Sequence, residues 1–131
     1  MVIDTSAILA ILFGEPEAIA LIHAIGAAPV RMIAAPTLVE ASAVLCARKG
    51  PSGDVALDAL LQRLSIITVA MSPEAANYAR EAFRRFGKGV GRPGALNFGD
   101  CLAYGVAMAM GSALLFKGDD FTRTDVEVAR Y

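Results

Sequence analysis

Short apolar runs of strand length alternate along this chain with longer segments that carry helical signals. The runs cover residues 2–4, 30–34, 66–69 and 113–116. Parallel strands need long crossover connections, which are usually helices, and the helices then cover both faces of the sheet. The alternation therefore predicts an α/β fold with three layers, α/β/α, around a central and mainly parallel sheet. A last short strand is expected near residues 126–128.

Capping residues and glycines place the predicted helices between these strands. Thr5-Ser6 is the expected cap of the first helix, Ser72 of the fifth and Asn97 of the sixth. The helices are expected at residues 7–12, 15–26, 36–49, 54–64, 73–86 and 98–110. A glycine-rich loop is expected at residues 87–95.

Length and composition narrow the class of protein. A chain of 131 residues is expected to form one domain, residues 1–131, with a proper core. The hydrophobic fraction of 56% and the mean hydropathy of +0.54 are high for a soluble domain. Even so, the longest uncharged run, residues 101–116, is shorter than the roughly 20 residues of a membrane helix. We expect no signal peptide, no membrane partner and a cytoplasmic protein, with Cys46 and Cys101 as small core residues.

Acidic residues stand at the edges of the apolar segments. Asp4 ends the first run, Asp100 opens an uncharged stretch, and Asp119 and Asp120 follow the last run. Glu40 lies among apolar residues that leave its helix no clear solvent face. Because sites in open α/β sheets lie outside the carboxyl ends of the strands, these acids can converge on one rim.

A cluster of carboxylates needs positive compensation, which a hard divalent cation such as Mg²⁺ supplies through oxygen ligands. Each acid taken alone also has a structural explanation, as a turn residue, a cap or a favourable charge at a helix N-terminus. No His or Cys cluster competes for zinc, and the single His23 is expected at the surface. The net charge of −1 argues against general coating of nucleic acid.

Four ordered motifs, spread over nearly the whole chain, resemble those of the PIN domain, and specifically of VapC-type toxins from bacterial type II toxin–antitoxin modules. They are Val2-Ile3-Asp4-Thr5-Ser6-Ala7, Pro36-Thr37-Leu38-Val39-Glu40, Asn97-Phe98-Gly99-Asp100-Cys101-Leu102-Ala103 and Leu114-Leu115-Phe116-Lys117-Gly118-Asp119-Asp120-Phe121. The resemblance implies a cytoplasmic, Mg²⁺-dependent endoribonuclease that is inhibited by a VapB-type antitoxin. It also implies a homodimer and a larger complex with the antitoxin.

Carried over onto this sequence, the family's three firm acids are Asp4, Glu40 and Asp100. The fourth is Asp119 or Asp120, and we prefer Asp119, with Asp120 as a supporting residue. Asp4 and Asp100 are the expected direct ligands of Mg²⁺, or of Mn²⁺ in its place.

Thr5 or Ser6 is expected to support the first acid or the substrate phosphate. A metal-activated water would then hydrolyse the RNA phosphodiester and leave a 5′-phosphate and a 3′-hydroxyl.

The basic residues near the fifth helix and the apolar residues of the first two helices each allow two interpretations. Arg80, Arg84 and Lys88 follow one another at four-residue spacing, with Arg92 nearby, so they are either a solvated face or an RNA backbone contact. The loop at 87–95 lacks the order of a phosphate-binding loop and is expected to flank the site. The apolar residues of the first two helices either pack in the core or form a groove for the antitoxin.

Three other classes of protein remain as rivals. A haloacid dehalogenase-type phosphatase also begins with a strand that ends in Asp, but it needs a second acid where this chain has Ser6. A non-catalytic binding module and a housekeeping PIN-type nuclease without an antitoxin are the other two.

Overall fold

A four-stranded parallel sheet forms the centre of the computed structural model, which describes residues 1–92 and 94–131. The strands are β1 (Val2–Ile3), β2 (Met32–Ala34), β3 (Ile67–Val69) and β4 (Leu114–Leu115). Their order in the sheet is β3-β2-β1-β4, and each neighbouring pair is parallel. The prediction of a parallel sheet is confirmed. Residue 93 of the predicted loop at 87–95 lies outside the described residues.

Helices occupy the connections between the strands, as predicted. They are α1 (Thr5–Leu12), α2 (Ala18–Ala27), α3 (Ala35–Lys49), α4 (Ser52–Arg63), α5 (Pro73–Phe86) and α6 (Phe98–Ala109). Among the described residues, no helix has both the length and the apolar character that crossing a membrane requires.

Two hydrophobic cores, one on each face of the sheet, establish the three-layer architecture. In β1, Val2 points toward the core that α5 and α6 cover, and Ile3 points toward the core that α1 to α4 cover. This split follows from the alternation of side chains along a strand. On α5 the apolar face is formed by Ala75, Ala79, Ala82 and Phe86.

The N-terminal ends of α1 and α2 differ from the prediction. Asp4, and not Thr5 or Ser6, caps α1, because its carboxylate accepts a hydrogen bond from the Ser6 N–H at 2.9 Å. Helix α2 begins at Ala18 and not at Glu15. The Lys117 ammonium binds the carboxylates of Glu15 and Glu17. These two ion pairs hold the segment before α2 in a turn.

The two cysteines have different environments, and the prediction for one of them is wrong. Cys101 is buried, and burial raises the pKa of its thiol to about 11. Cys46 is exposed on α3. The buried residues of that helix include Ala41 and Leu45, and the residue after Leu45 is rotated by about 100° from this inward face.

The C-terminal tail adds one bridge to the sheet where a strand was expected. Val128 pairs with Leu114 in a single parallel bridge. The Leu114 N–H donates to the Glu127 carbonyl at 2.8 Å, and the Ala129 N–H donates to the Leu114 carbonyl at 2.9 Å. The tail therefore protects the outer edge of β4.

Candidate active site

Three acids that are far apart in sequence meet where β1 ends and α3 and α6 begin. Thr5, the residue after Asp4, donates its hydroxyl to Glu40 Oε2 at 2.6 Å. Gly99, the residue before Asp100, lies so close to Glu40 that a Cβ built on it would be 2.1 Å from Glu40 Oε1. The structure therefore brings Asp4, Glu40 and Asp100 together.

Asp4 is 2% exposed, and its two carboxylate oxygens differ in their hydrogen bonding. Oδ2 accepts hydrogen bonds from the Ser6 N–H at 2.9 Å and from the Ser6 hydroxyl at 2.6 Å. The Ser6 hydroxyl in turn accepts from the Lys117 N–H at 2.9 Å. Oδ1 is buried and has no hydrogen-bond partner among residues 1–92 and 94–131. Burial raises the pKa of Asp4, and the nearby Glu40 carboxylate adds to this effect, while the bonds from Ser6 oppose it.

Glu40 is half-buried in the second turn of α3. Its Oε2 is fixed by the Thr5 hydroxyl, and its Oε1 accepts no hydrogen bond within the described chain. The absence of a side chain on Gly99 allows this carboxylate to approach the start of α6. The expectation that this helix has no solvent face is wrong, because Val39 is 67% exposed.

Asp100 is held by a capping box at the start of α6. The Asn97 N–H donates to Asp100 Oδ2 at 2.6 Å, and the Asp100 N–H donates to Asn97 Oδ1 at 2.9 Å. The predicted cap at Asn97 is confirmed, and the reciprocal bond from Asn97 to Asp100 was missed, although the pattern of an amide cap followed by an acid three residues later signals it.

The environment of Asp100 makes ionisation of its carboxyl less favourable than that of a free aspartate when no cation is bound. Burial raises the pKa of Asp100 to about 6, and the carboxylates of Asp4 and Asp120 add to the effect. The Asn97 N–H and the Lys88 ammonium act in the opposite direction. A cation bound next to Asp100 would offset the cost of burying its charge and the repulsion from Asp4 and Asp120.

The three carboxylates share one pattern, in which one oxygen is held by a hydrogen bond and the other accepts none from the described residues. The held oxygens are Asp4 Oδ2, Glu40 Oε2 and Asp100 Oδ2. Free carboxylate oxygens are the ligands that Mg²⁺ prefers, and the orphaned Asp4 Oδ1 is a buried atom that a cation would satisfy.

The same side chains fit a metal site with few protein ligands. Within residues 1–92 and 94–131, no three His, Cys, Asp or Glu side chains are already placed to hold one ion together. Mg²⁺ usually takes one or two carboxylates and keeps several waters, so a pair of aspartates is a sufficient set.

Asp119 and Asp120 lie side by side on the exposed turn after β4, but they differ in their relation to the cluster. Asp120 is close enough for its charge to raise the pKa of Asp100, and Asp119 is not among the main groups that shift this pKa. Both residues line a cleft of about 310 Å³ together with Ala95, Thr122 and Arg123. Sequence reasoning missed Arg123, since no spacing pattern relates it to the acids.

Among the predicted RNA-binding residues, Lys88 is close enough to the acids for its charge to lower the pKa of Asp100. Helix α5 ends at Phe86, as predicted, so Lys88 lies beyond the helix that carries Arg80 and Arg84. The Lys88 N–H donates to the Leu96 carbonyl at 2.8 Å, which places this residue beside the start of α6.

The other predicted basic residues lie at the surface. Arg80 and Arg84 are exposed on α5, and Arg84 pairs with Glu81 at 2.6 Å. Arg92 is exposed, and its N–H donates to the Arg85 carbonyl at 2.9 Å. His23 is exposed, as predicted.

The apolar residues of α1 and α2 pack mainly into the core. Ile8, Leu21 and Ile25 are fully buried, which agrees with the core interpretation. Ile19 is the exception, with 71% of its surface exposed.

Comparison with known proteins places this arrangement in a family context. The family model described as PIN domain matches residues 1–127. Ribonuclease VapC of Mycolicibacterium smegmatis is 46% identical over 126 residues, which cover 96% of this chain and 97% of that protein. Ribonuclease VapC30 of Mycobacterium tuberculosis is 44% identical over 126 residues, which cover 96% of this chain and 95% of its own length.

Solved structures share the fold at low sequence identity. VapC20 of Mycobacterium tuberculosis, described as a sarcin-ricin loop cleaving toxin, superposes with a TM-score of 0.72 at 22% identity and covers 98% of both chains. A chain of VapBC2 from Rickettsia felis, solved with a promoter DNA fragment, gives a TM-score of 0.72 at 17% identity and covers 97% of this chain and 94% of its own.

Proposed function

The chain belongs to the PIN domain family and, within it, to the VapC ribonucleases, and on that premise we propose that Asp4, Glu40 and Asp100 form its RNA-hydrolysing centre. PIN-domain ribonucleases depend on divalent metal ions, and we infer that Mg²⁺, with Mn²⁺ as a substitute, is the ion used here. The observation that carries the proposal is the shared pattern of one fixed and one free carboxylate oxygen. This pattern orients each acid and leaves it available to a ligand.

We propose Asp4 and Asp100 as the residues that hold the ion. Asp4 would bind through Oδ1, which is buried and has no other partner. When bound, the ion supplies positive charge to a phosphoryl oxygen and acidity to a water molecule. Ser6 fixes the Asp4 carboxylate by holding Oδ2, and Asn97 does the same for Asp100. These bonds reduce the reorganisation that ligand binding requires.

Glu40 has a different role in this proposal. Its free Oε1 orients the attacking water and accepts a proton from it, while Thr5 keeps Oε2 in place. The water attacks the phosphorus in line with the departing 3′ oxygen. The products are a 5′-phosphate and a 3′-hydroxyl, and the ribose 2′-hydroxyl is not the nucleophile.

We propose Asp120 as the fourth acid, in place of the sequence-based preference for Asp119. The support is its proximity to Asp100, whose pKa it raises. Lys88 lies on the same side and is suited to contact an RNA phosphate near the cluster. Arg80, Arg84 and Arg92 are exposed and are suited to more distant backbone contacts.

The experiment that tests the catalytic assignment is cleavage of end-labelled cellular RNA by the purified protein in Mg²⁺. We expect cleavage by the wild-type protein, suppression by EDTA, and loss of activity by a factor of about 10³ or more in Asp4→Ala. Asp58→Ala, an exposed residue on α4, is the matched control and should cleave normally. Normal cleavage by Asp4→Ala would contradict the assignment.

We also propose that the protein is a cytoplasmic toxin paired with a VapB-type antitoxin. The support is its membership of the VapC ribonucleases and the exposed Ile19 on α2, which an apolar antitoxin segment could cover. Expression of the chain alone should arrest growth, and co-expression with the product of a neighbouring small reading frame should relieve the arrest. Growth without arrest would favour a housekeeping nuclease.

Self-association is the last part of the proposal. Phe98 on α6 is 72% exposed and lies in two adjoining clefts, of about 550 and 440 Å³, that are lined mainly by apolar side chains. Such a surface on α3, α5 and α6 suits a second copy of the chain. Light scattering should give a dimer for the wild-type protein and a monomer for Phe98→Glu. A monomeric wild-type protein would contradict the homodimer.

A further inference from the structure

The cleft beside the acid cluster carries an inference that rests on the proposed ribonuclease function. We propose that this cleft, between Ala95 and the turn at residues 119–123, binds the nucleotide adjacent to the scissile phosphate. Arg123 would contact a phosphate of that nucleotide, and Asp119 would accept a hydrogen bond from its ribose 2′-hydroxyl. Asp119 is then a specificity residue that distinguishes RNA from DNA.

The position of the cleft connects it to the reaction centre. Asp120 lines the cleft three residues after Lys117, whose N–H donates to the Ser6 hydroxyl that holds Asp4. Ala95, on the other side of the cleft, lies two residues before Asn97, which holds Asp100. The cleft is therefore next to the acids. Its volume of about 310 Å³ is at the lower end of the range for small-ligand sites, which suits one nucleotide unit. An RNA strand with its phosphate at the acids would therefore place a neighbouring nucleotide here.

The chemistry of the lining matches the two ends of a nucleotide unit. Arg123 is exposed and forms no ion pair within the described chain, although Asp119 and Asp120 line the same cleft. The Asp119 carboxylate likewise accepts no hydrogen bond there. A free guanidinium suits a phosphate, and a free carboxylate suits a hydroxyl donor.

The turn that carries these side chains is held by internal bonds. The Thr122 hydroxyl donates to the Asp119 carbonyl at 2.7 Å, and the Thr122 N–H donates to the same oxygen at 3.1 Å. Phe121 is buried and packs on Phe116, with ring centroids 4.8 Å apart. The backbone of this turn is therefore fixed before the substrate arrives, which lowers the entropic cost of binding.

Binding measurements without cleavage test the inference. Fluorescence anisotropy in Ca²⁺, a larger cation that compensates the acids without the octahedral geometry of Mg²⁺, would compare a labelled oligouridine with the oligodeoxyuridine of the same length. We expect the wild-type protein to bind the RNA about tenfold more tightly, because only RNA supplies the 2′-hydroxyl donor. Asp119→Ala should bind both with equal affinity. Arg123→Gln should weaken both and reduce the slope of log affinity against log salt by about 1.

Matched controls are available on α4, whose residues contribute to the core on the opposite face of the sheet from α5 and α6. Asp58→Ala and Arg63→Gln remove the same charges from exposed positions there and should retain the wild-type preference and salt slope. Equal binding of RNA and DNA by the wild-type protein, or an unchanged preference in Asp119→Ala, would overturn the subsite. Failure of the ribonuclease function itself would instead appear as no cleavage of RNA in Mg²⁺, which the anisotropy assay does not measure.

Discussion

At the scale of single residues, the site depends on charges that are poorly compensated in the protein alone. The buried Asp4 has an oxygen without a partner, and Asp100 has a raised pKa of about 6. A buried acceptor without a hydrogen bond costs about 1–3 kcal/mol. The metal-free protein is therefore less stable than it would be with these carboxylates compensated, and Asp4 and Asp100 stay available to bind a cation.

We expect Asp4→Asn to abolish RNA cleavage and to stabilise the metal-free protein by about 1–3 kcal/mol at neutral pH. The amide still caps α1 through its oxygen, and its NH₂ group can donate to the neighbouring acids. Urea unfolding in EDTA measures the change. A less stable Asp4→Asn protein would show that the buried charge is compensated in a way that the structure does not contain.

The pH dependence of stability follows from Asp100. Its folded-state pKa of about 6 is above the ordinary value of 3.8, so the unfolded chain loses this proton first as the pH rises. The contribution of Asp100 to the free energy of unfolding is therefore largest below pH 3.8. It declines between pH 3.8 and about 6 and is constant at higher pH. Urea unfolding of the metal-free protein between pH 3.8 and about 6 should show this decline, and Asp100→Asn should show a smaller one, because the raised pKa of Asp4 still contributes. Equal pH dependence in the two proteins would contradict the burial of this carboxyl.

At the scale of elements, two glycines of α6 allow close approaches with different consequences. Gly99 faces the movable carboxylate of Glu40, at 2.1 Å from its built Cβ. Gly105 faces the backbone of α5, and its built Cβ would lie 2.3 Å from the Ala75 carbonyl oxygen. A side chain can rotate away from a new methyl group, but a packed helix backbone cannot.

We therefore expect opposite effects from two identical substitutions. Gly99→Ala should displace Glu40 and reduce cleavage by about tenfold or more, with little change in stability. Gly105→Ala should destabilise the fold by about 1–3 kcal/mol through overpacking of α5 against α6. Urea unfolding and RNA cleavage of both variants provide the comparison. Loss of stability without loss of activity in Gly99→Ala would refute the positioning of Glu40 by this contact.

Local signals predicted most elements, and they failed where a distant contact decides the structure. The caps at Ser72 and Asn97 were readable, because a cap interacts within one turn of its own helix. The start of α2 depends on Lys117, which lies about a hundred residues away in sequence. The placement of Lys88 depends on the pairing of Gly87 with Leu96, which helical spacing does not reveal.

At the scale of the whole molecule, the parallel sheet explains why separate motifs form one site. Asp4 follows β1, α3 follows β2, and Asp120 follows β4, so all three lie at the same edge of the sheet. This convergence was predictable from the alternation of strands and helices. The choice between Asp119 and Asp120 was not, because a turn residue can point either way.

We expect divalent metal to stabilise the folded protein as a whole. An ion that binds only the native state adds about 2.7 kcal/mol at a concentration one hundred times its Kd. Mg²⁺ should therefore raise the Tm of the wild-type protein and leave that of Asp100→Asn nearly unchanged. Differential scanning calorimetry measures both. An equal rise in the two proteins would place the stabilising ion elsewhere.

The most direct test of the site is a crystal of the protein soaked in Mn²⁺ and measured at a wavelength where manganese scatters anomalously. We expect an anomalous peak in contact with Asp4 Oδ1 and an Asp100 oxygen, at about 2.0–2.2 Å. The same experiment on Asp4→Asn crystals should give no peak. A wild-type map with no peak at the three acids, or with its peak at another part of the molecule, would show that Asp4 and Asp100 do not hold the ion.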